Sequence, residues 1–365
     1  MRNEFSRRRF MQSATAGAAA VGMAVCGVAA VTADVASDDS SLASPFSIRE
    51  IRTDTDAADG EAGGLELTES GYEKPVFVYR YAEQRRPDIR DPRNRRACYL
   101  HPVYGLSGEM LTDDFPDDHY HHHGIFWGWM HIRFDGMDCE YDNWTHPETL
   151  QFHHMRWLER SVSANRAVIA AENRWALAEN PDDSLCRETI RLTVYPTMVL
   201  SGEPGSDSIG AVRVIDFEGT WTPTGRAMTL RGAEGKSYGG VNIRFAPHRV
   251  PTITVLDGVT KEDLTVTRLE WADFTAGFMT SEAEPTSVLS GVTLIAVPDH
   301  PDYPPTWLTR HYGVLCVGWP GVEGRTFADG ETFTLRYRFL IHRDPLSPEQ
   351  LVEAISTAAV RRAYP

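Results

Sequence analysis

The sequence has few cysteines and lacks a long, strongly apolar run. Its 365 residues include five cysteines, spaced so widely that no Cys-x-x-Cys pair occurs. This spacing excludes a zinc site of the finger type, and the small number excludes a dense disulfide framework, although export would permit one or two bridges. The most apolar stretch, residues 14–31, is rich in Ala, Gly and Val and falls short of the ~20 strongly apolar residues that a spanning helix needs. No stable membrane insertion is therefore predicted.

The N-terminus has the pattern of an export signal. Residues 6–11, Ser-Arg-Arg-Arg-Phe-Met, fit a twin-arginine motif, in which two arginines precede an aromatic and an apolar residue. The weakly apolar run follows, with small residues suited to cleavage near Ala33. A membrane anchor is the alternative interpretation. We predict that residues 1–33 are a twin-arginine signal peptide and that the protein is periplasmic or secreted.

Replacement of Arg7 and Arg8 by lysine is expected to hold the protein in the cytoplasm. The twin-arginine receptor reads the paired planar guanidinium groups, and an ammonium group cannot reproduce them. Fractionation of cells that express either form measures the effect. An unchanged periplasmic yield in a strain without the twin-arginine pathway would contradict the assignment.

The chain is poor in basic residues relative to acidic ones. Lys and Arg number 36 against 51 Asp and Glu, for a formal net charge of −15. Loss of residues 1–33 removes four arginines and one glutamate, which leaves 32 basic against 50 acidic residues and a charge of −18. A surface of that sign repels nucleic acid and anionic membranes. The predicted partner is a carbohydrate or another small molecule, and nucleic acid is not expected.

Composition divides the chain into four segments. After the signal, residues 34–71 are rich in Asp, Ser, Ala, Gly and Glu, which predicts a disordered linker. Beyond it, no internal repeat and no linker-like change of composition occurs, and the length suffices for one large core. We predict one domain over residues 72–345, followed by a C-terminal helix over residues 346–365.

Two-residue alternation dominates the predicted domain. In ETFTLRYRFLIH (331–342) large apolar side chains alternate with Thr and Arg, and CRETIRLTVY (186–195) alternates in the same way. A sheet with one buried face requires this pattern. Similar short runs, bounded by Gly, Pro and Asp, recur along the domain, so the predicted fold class is all-β, a large antiparallel β-sandwich. Only the tail has a helical pattern, with Ser347 placed to cap it and Arg361 and Arg362 near its end.

Histidine is concentrated in one part of the chain. Nine of the 13 histidines fall within residues 101–154, and DDFPDDHYHHHGIFWGW (113–129) places four of them in five positions. In an extended segment His119, His121 and His123 would share one face, with His122 on the other. A His-x-His pair on a strand is a common way to present two ligands to one metal ion.

The same imidazoles titrate near neutral pH and therefore also suit general acid and base chemistry. Asp118 next to the cluster is placed to orient a histidine ring. A solvated polar loop between strands is the third interpretation. We predict that the cluster lies in a functional site, with His119 and His121 as candidate ligands of a divalent metal.

The segment YLHPVYGLSGEMLTDDFPDDHYHHHGIFWGW (99–129) resembles a bacterial, planctomycete-type family of unknown function whose members are labelled methane oxygenase PmoA. GGVNIRF (239–245) and DHPDYPPTWLTRHYG (299–313) resemble two further blocks of that family, and the resemblance covers roughly residues 74–343. It matches His119, His121 and His122 to three family histidines, whereas His123 stands at an arginine-like position and is expected to tolerate substitution. The chain departs from the family at Lys236-Ser237-Tyr238 and at Thr309.

The resemblance implies a galactose-mutarotase-like supersandwich, which binds sugars on a sheet face lined by His, Arg, Trp and carboxylates. The oxygenase label fits poorly, because methane oxygenase subunits of the particulate type are multi-helix membrane proteins.

Further residues are candidates on this picture. Arg244 and Arg310 carry planar guanidinium groups suited to carboxylates or sugar hydroxyls. In RVIDFEGTW (213–221), Asp216 and Glu218 share one strand face, either as an acid/base pair or as part of a wet sheet face. Trp127 is predicted to be in the core, and Trp307, in a Pro-rich loop, to stack on sugars. The predicted catalytic residues are His119, His121, His122, Asp118, Arg244 and Arg310, and the predicted substrate-binding residues are Trp307, His311, Tyr312, Glu218 and Lys236.

These observations favour an exported carbohydrate-active enzyme, a hydrolase, lyase or epimerase that acts on a glycan or modified sugar. The first alternative is a carbohydrate-binding module without chemistry, which predicts a histidine cluster away from any pocket. The second is a metal-dependent oxidoreductase, which predicts three imidazoles that converge on one ion.

Overall fold

The computed structural model of the chain describes residues 43–52, 62–199, 211–279 and 287–344, together with residues 346, 350, 351 and 355. The predicted signal peptide lies outside these residues, and so does most of the predicted C-terminal helix. Within the described part, no helix has the length and apolar character needed to cross a membrane.

The described residues are almost entirely β-structure. Their strands, in chain order, are β1 (Phe46–Arg52), β2 (Ala62–Glu69), β3 (Phe77–Arg80), β4 (Tyr99–Val103), β5 (Ile125–Gly128), β6 (His131–Phe134), β7 (Glu140–Tyr141), β8 (Leu150–Val162), β9 (Ala167–Leu177), β10 (Cys186–Val194), β11 (Met198–Val199), β12 (Ala211–Pro223), β13 (Met228–Arg231), β14 (Gly240–Arg244), β15 (His248–Val255), β16 (Gly258–Thr260), β17 (Thr265–Arg268), β18 (Trp271–Met279), β19 (Ser287–Ala296), β20 (Thr306–Arg310), β21 (Val314–Gly318), β22 (Arg325–Phe327) and β23 (Phe333–Arg343).

The strands form two large sheets and one small one. A nine-stranded sheet has the order β1-β2-β3-β4-β5-β14-β21-β20-β17, and a ten-stranded sheet has the order β16-β15-β18-β19-β23-β12-β10-β9-β8, with β11 beside β12. A four-stranded sheet, β22-β13-β6-β7, accompanies them. Neighbours on these paths pair antiparallel, as between β10 and β12 or between β14 and β21. The predicted all-β class and large antiparallel sandwich are confirmed.

The alternation read from the sequence matches the burial of the strands. On β23 the apolar positions from Phe333 to Ile341 enter the main core, whereas Arg336 and Arg338 lie on the opposite face. The same core takes apolar side chains from both large sheets, and the ring of Trp127 on β5 lies 5.2 Å from that of Phe217 on β12. The inner faces of the two sheets therefore bury one another, which removes both sets of apolar side chains from water.

One buried carboxylate joins the two sheets. The Glu188 side chain on β10 accepts hydrogen bonds from the indole N–H groups of Trp127, Trp175 and Trp221 at 2.8, 3.0 and 2.8 Å, and from the Asn173 amide at 2.8 Å. All five side chains are fully buried. Such a network stabilises a core only while every member has a partner.

The disordered linker predicted over residues 34–71 is wrong for much of its length. Residues 46–52 and 62–69 form β1 and β2, at the edge of the nine-stranded sheet. Leu65 and Leu67 of β2 are fully buried in the main core. The alternation of apolar side chains in β2 is short and lies among small and acidic residues, so it gives little signal in the sequence. In the structure β2 pairs with β3, which provides the neighbouring strand that it needs.

Candidate functional site

A pocket opens on the outer face of the nine-stranded sheet. It encloses about 490 Å³, including its open mouth. A second apolar cluster, which includes Phe126, Trp144 and Cys316, forms the floor on this face. The lining comes from four separate parts of the chain and comprises His119, His121, His122, Trp144, Thr145, Lys236, Tyr238, Leu308, Arg310, Tyr312, Val314 and Cys316.

The histidines lie in consecutive turns just before β5. The amide of His119 donates to the carbonyl of Pro116 at 3.2 Å, and that of His122 donates to the carbonyl of His119 at 2.8 Å. The extended segment considered from the sequence is therefore wrong. The second turn brings His119 and His122, three residues apart, side by side. His119, His121 and His122 all line the pocket.

The ring of His119 is held between two other rings. It stacks on His122 with centroids 4.7 Å apart and 9° between the planes, and on Tyr312 at 5.6 Å and 2°. His121 stands nearly perpendicular to this stack, 4.8 Å from His122 and 5.6 Å from His119. Such packing fixes the orientation of His119 although 39% of its side chain is exposed.

A hydrogen-bonded chain leads from the buried sheet to this ring. Arg244, the last residue of β14, donates through Nη2 to Oδ1 of Asp118 at 2.8 Å, and Oδ2 of Asp118 bonds Nδ1 of His119 at 2.9 Å. Partial burial opposes the charged form of Asp118, but the bond to His119 and the nearby guanidinium together outweigh it and hold the pKa of that carboxyl below its usual value. Asp118 is thus a carboxylate that orients His119 and leaves its Nε2 free for a substrate.

The other two pocket histidines are neutral at pH 7. Burial, helped by His119, lowers the pKa of His121 to about 4. Burial also lowers the pKa of His122 well below the usual value, with His121, His119 and Arg244 adding to the effect. His122 is only 7% exposed, and its Nδ1 has no hydrogen-bond partner in the part of the chain that the structure describes. An unpaired buried nitrogen beside a pocket is a candidate contact for a ligand.

His123 differs from its three neighbours. Its side chain is 1% exposed and packs among Tyr99, Phe115 and Phe126, with Nδ1 2.8 Å from Oδ1 of Asp114. The expectation that this residue tolerates substitution stays a prediction, and its burial argues against it. Alanine would leave a cavity and would remove one hydrogen-bond partner of Asp114, which keeps the bond from Tyr99.

Arg310, a predicted catalytic residue, and Tyr312, a predicted substrate-binding residue, join the histidines from β20 and the turn after it. Nη1 of Arg310 donates to the carbonyls of Leu264 and Thr309 at 3.1 and 2.8 Å. Lys236 lines the pocket from the opposite loop, with its ammonium group 5.9 Å from the centre of the Tyr238 ring.

His311 lies outside the lining. Its Nδ1 is 2.7 Å from Oδ1 of Asp263, and its carbonyl accepts from His248.

Besides His311, four predicted site residues do not line the pocket: Asp118, Arg244, Trp307 and Glu218. Arg244 is buried behind it, where its guanidinium lies 5.2 Å from the Tyr312 ring, so it positions Asp118 and does not hold substrate. Trp307 is fully buried in the main core and donates to the carbonyl of Leu269, because its position on β20 points inward.

Glu218 lies on the outer face of the other large sheet, paired with Arg336 at 2.7 Å. Its neighbour Asp216 pairs with Arg338 at 2.5 Å. Each carboxylate thus faces its directly opposite arginine on β23, and neither lines the pocket.

The sequence interpretation missed several lining residues. Tyr238 stands in the tripeptide that departs from the family pattern, and Thr145, Leu308, Val314 and Cys316 give no local signal. Trp144 belongs to the second apolar cluster. It is 4% exposed, lines the pocket, and its Nε1 has no partner among the residues that the structure covers.

The three pocket histidines do not fit a three-imidazole metal centre. The lone pair of an imidazole nitrogen lies in the ring plane, so an ion bound to both His119 and His122 would have to lie in two nearly parallel planes at once. The described ranges contain no group of three or more His, Cys, Asp or Glu side chains that could hold a metal ion. The arrangement suits proton transfer better than metal ligation.

The fold and pocket define an antiparallel β-sandwich protein with a histidine-rich site on one sheet. A model of the family of unknown function DUF6807 matches residues 66–356. Because the match covers most of the chain, the protein belongs to that family. The finer resemblance to proteins labelled methane oxygenase PmoA stays a prediction.

Among solved structures, galactose 1-epimerase from Lactobacillus acidophilus NCFM is similar with a TM-score of 0.36 and 9% identity, over 83% of this chain and 100% of that chain. The alpha-galactosidase from Lactobacillus brevis is similar with a TM-score of 0.29 and 6% identity, over 86% of this chain and 41% of that chain. A search of curated proteins found no match. Likenesses this distant assign no activity.

Proposed function

We propose that the protein is an exported carbohydrate-active enzyme that transfers a proton to or from a sugar, as a hydrolase, lyase or epimerase does. The observation that carries this proposal is the chain from Arg244 through Asp118 to His119, which ends in an open pocket. A carboxylate that orients an imidazole is the usual arrangement of a general acid or base. Other imidazole–carboxylate pairs occur in the protein, such as His131 with Glu140, but the pair of Asp118 and His119 differs from them in bordering the pocket.

His119 acts in this proposal as the proton-transferring group. Asp118 holds Nδ1, so the proton moves at Nε2, and the charged Asp118 stabilises the imidazolium that forms. Arg244 keeps Asp118 in place and ionised. His121 and His122 stay neutral at pH 7 and serve as hydrogen-bonding groups next to the reacting atom.

The rest of the pocket suits a sugar. Three aromatic side chains of the lining, Trp144, Tyr238 and Tyr312, have apolar ring faces and polar ends. Such side chains can bind a ligand that has both C–H faces and hydroxyl groups. Burial raises the pKa of both tyrosines, so their hydroxyl groups remain donors at neutral pH. Nδ1 of His122 and Nε1 of Trp144 add two buried nitrogens that a sugar hydroxyl can satisfy.

The two alternatives fit the geometry less well. A carbohydrate-binding module predicts a histidine cluster away from the pocket, and here three histidines line it. A metal-dependent oxidoreductase predicts imidazoles that converge on one ion, and two of the three are stacked face to face.

Turnover of a glycan panel tests the proposal. The purified exported protein is incubated with the panel, and products and anomeric composition are followed by chromatography and proton NMR. We expect a new product or faster anomeric exchange with at least one glycan, and its loss in His121→Ala. His131→Ala is the control for loss of an imidazole outside the pocket, because His131 lies on the small sheet, where it pairs with Glu140. Binding of a glycan without turnover would favour the binding module instead.

A further inference from the structure

The charged residues that line the pocket are all cationic. Lys236 and Arg310 contribute full positive charges, and no carboxylate is part of the lining. This is unusual in a chain whose formal net charge is −15. The lining therefore favours a negative group although the net charge of the chain opposes one.

Both charges are weakly compensated by the protein. Nη1 of Arg310 donates to two carbonyls and to the Thr265 hydroxyl. The nearest carboxylate, Asp263, lies 3.9 Å from Nε of Arg310 and is also bonded to His311. Lys236 forms no ion pair within the described part of the chain and is exposed beside the Tyr238 ring.

A third cation, Arg244, lies behind the pocket and adds to its positive electrostatic potential. Arg244 is 7% exposed, and its Nε and Nη1 have no hydrogen-bond partner among the residues covered by the structure. Its one carboxylate partner, Asp118, also bonds His119. Asp118 therefore offsets part of this charge, whereas the pocket lining itself, including the neutral His121 and His122, supplies no negative charge against Lys236 and Arg310.

We infer that the pocket takes a sugar with an anionic substituent, a carboxylate or a sulfate, bound between Lys236 and Arg310. A guanidinium group presents a planar fork to such a group, and an ammonium group adds a mobile point charge at the mouth. This inference rests on the proposed function, since it names the class of sugar on which the Asp118–His119 pair acts.

Isothermal calorimetry with matched sugars tests the inference. The probes are galacturonic acid, its methyl ester, galactose, and galactose 6-sulfate, so that shape is kept while charge changes. We expect at least one of the two anionic sugars to bind about tenfold or more tightly than the ester and galactose. Lys236→Met and Arg310→Gln should each remove most of that preference, and added salt should weaken it.

Lys261→Met is the control for Lys236→Met, because Lys261 is an exposed lysine outside the pocket lining. Preference for the carboxylate over the sulfate, or the reverse, identifies which anion the site takes. Equal binding of charged and neutral sugars, or a preference that survives both pocket substitutions, would overturn the inference. If neutral sugars are turned over and this turnover depends on His121, the proposed function still holds. Tight binding of an anionic sugar without turnover would contradict the proposed function but agree with the inference.

Discussion

Replacement of His119 by alanine is expected to lower kcat about 10²- to 10⁴-fold, the usual contribution of a general acid or base. Among the described residues His119 is the pocket imidazole that has a carboxylate partner, and its side chain lines the pocket. The free energy of unfolding should change by about 1 kcal/mol or less, because the side chain is 39% exposed and Asp118 keeps its bond to Arg244. Steady-state kinetics and chemical denaturation of the same preparations measure both effects.

Asp118→Asn separates orientation from proton transfer. An amide keeps the size of the side chain but cannot stabilise an imidazolium, so kcat should fall and the pH profile should move, while KM changes little. A merely structural Asp118 would lower activity only in proportion to the loss of folded protein. His131→Ala provides the reference for an imidazole–carboxylate pair outside the pocket. Equal activity of His119→Ala and His131→Ala would refute the role of His119.

Replacement of Glu188 by alanine is expected to lower the free energy of unfolding by at least about 4 kcal/mol. The change leaves three indole N–H groups and one amide without their acceptor inside the core, and each orphaned buried donor costs about 1–3 kcal/mol. Water that enters the vacated space and relaxation of the rings reduce the sum, while the lost packing adds to it. Denaturant titration followed by tryptophan fluorescence measures the loss, since the indoles themselves report the change.

Glu218→Ala is the matched control for Glu188→Ala. Glu218 lies on the neighbouring strand β12, but its side chain is 33% exposed and its partner Arg336 also pairs with Asp299. Partly exposed ion pairs contribute about 0–1 kcal/mol, so the cost should stay in that range. Glu188→Gln keeps the shape of the side chain and one acceptor oxygen, so its loss in the free energy of unfolding should be intermediate. This variant can be measured even if the alanine variant does not accumulate. Similar costs for Glu188→Ala and Glu218→Ala would show that the buried network contributes little.

The sequence predicted the class of fold because local alternation is visible in it. The apolar face of β23 and that of β10 could be read directly from residues 331–342 and 186–195, and both faces enter the core. Alternation was obscured in β1 and β2, where small and acidic residues dominate, and that stretch was mistaken for a linker. Its burial depends on pairing with β3, which no local pattern announces.

The candidate site could be predicted only in part from the sequence. The density of histidine marked residues 119–122, and family resemblance pointed to Arg310, both of which line the pocket. The same signals also selected Trp307, which the core buries, and favoured tolerance at His123, which is buried as well. Composition gives the type of a side chain, and the direction in which it points depends on the turn or strand that carries it.

The amino-acid sequence by itself determined that this protein is an acidic, β-rich chain with one unusual concentration of imidazole. Only the tertiary structure decided which groups act together. It places Asp118 between Arg244 and His119, sets Lys236 and Arg310 in a pocket without a carboxylate lining, and directs three distant indoles onto Glu188. Asp118 and His119 are adjacent in the chain, but Arg244 lies 126 positions from Asp118 and the three indoles lie 13 to 61 positions from Glu188. Strand pairing between remote segments brings them together. The order of strands in a sheet is set by the packing of the whole core, so contacts of this kind are absent from any local stretch of sequence.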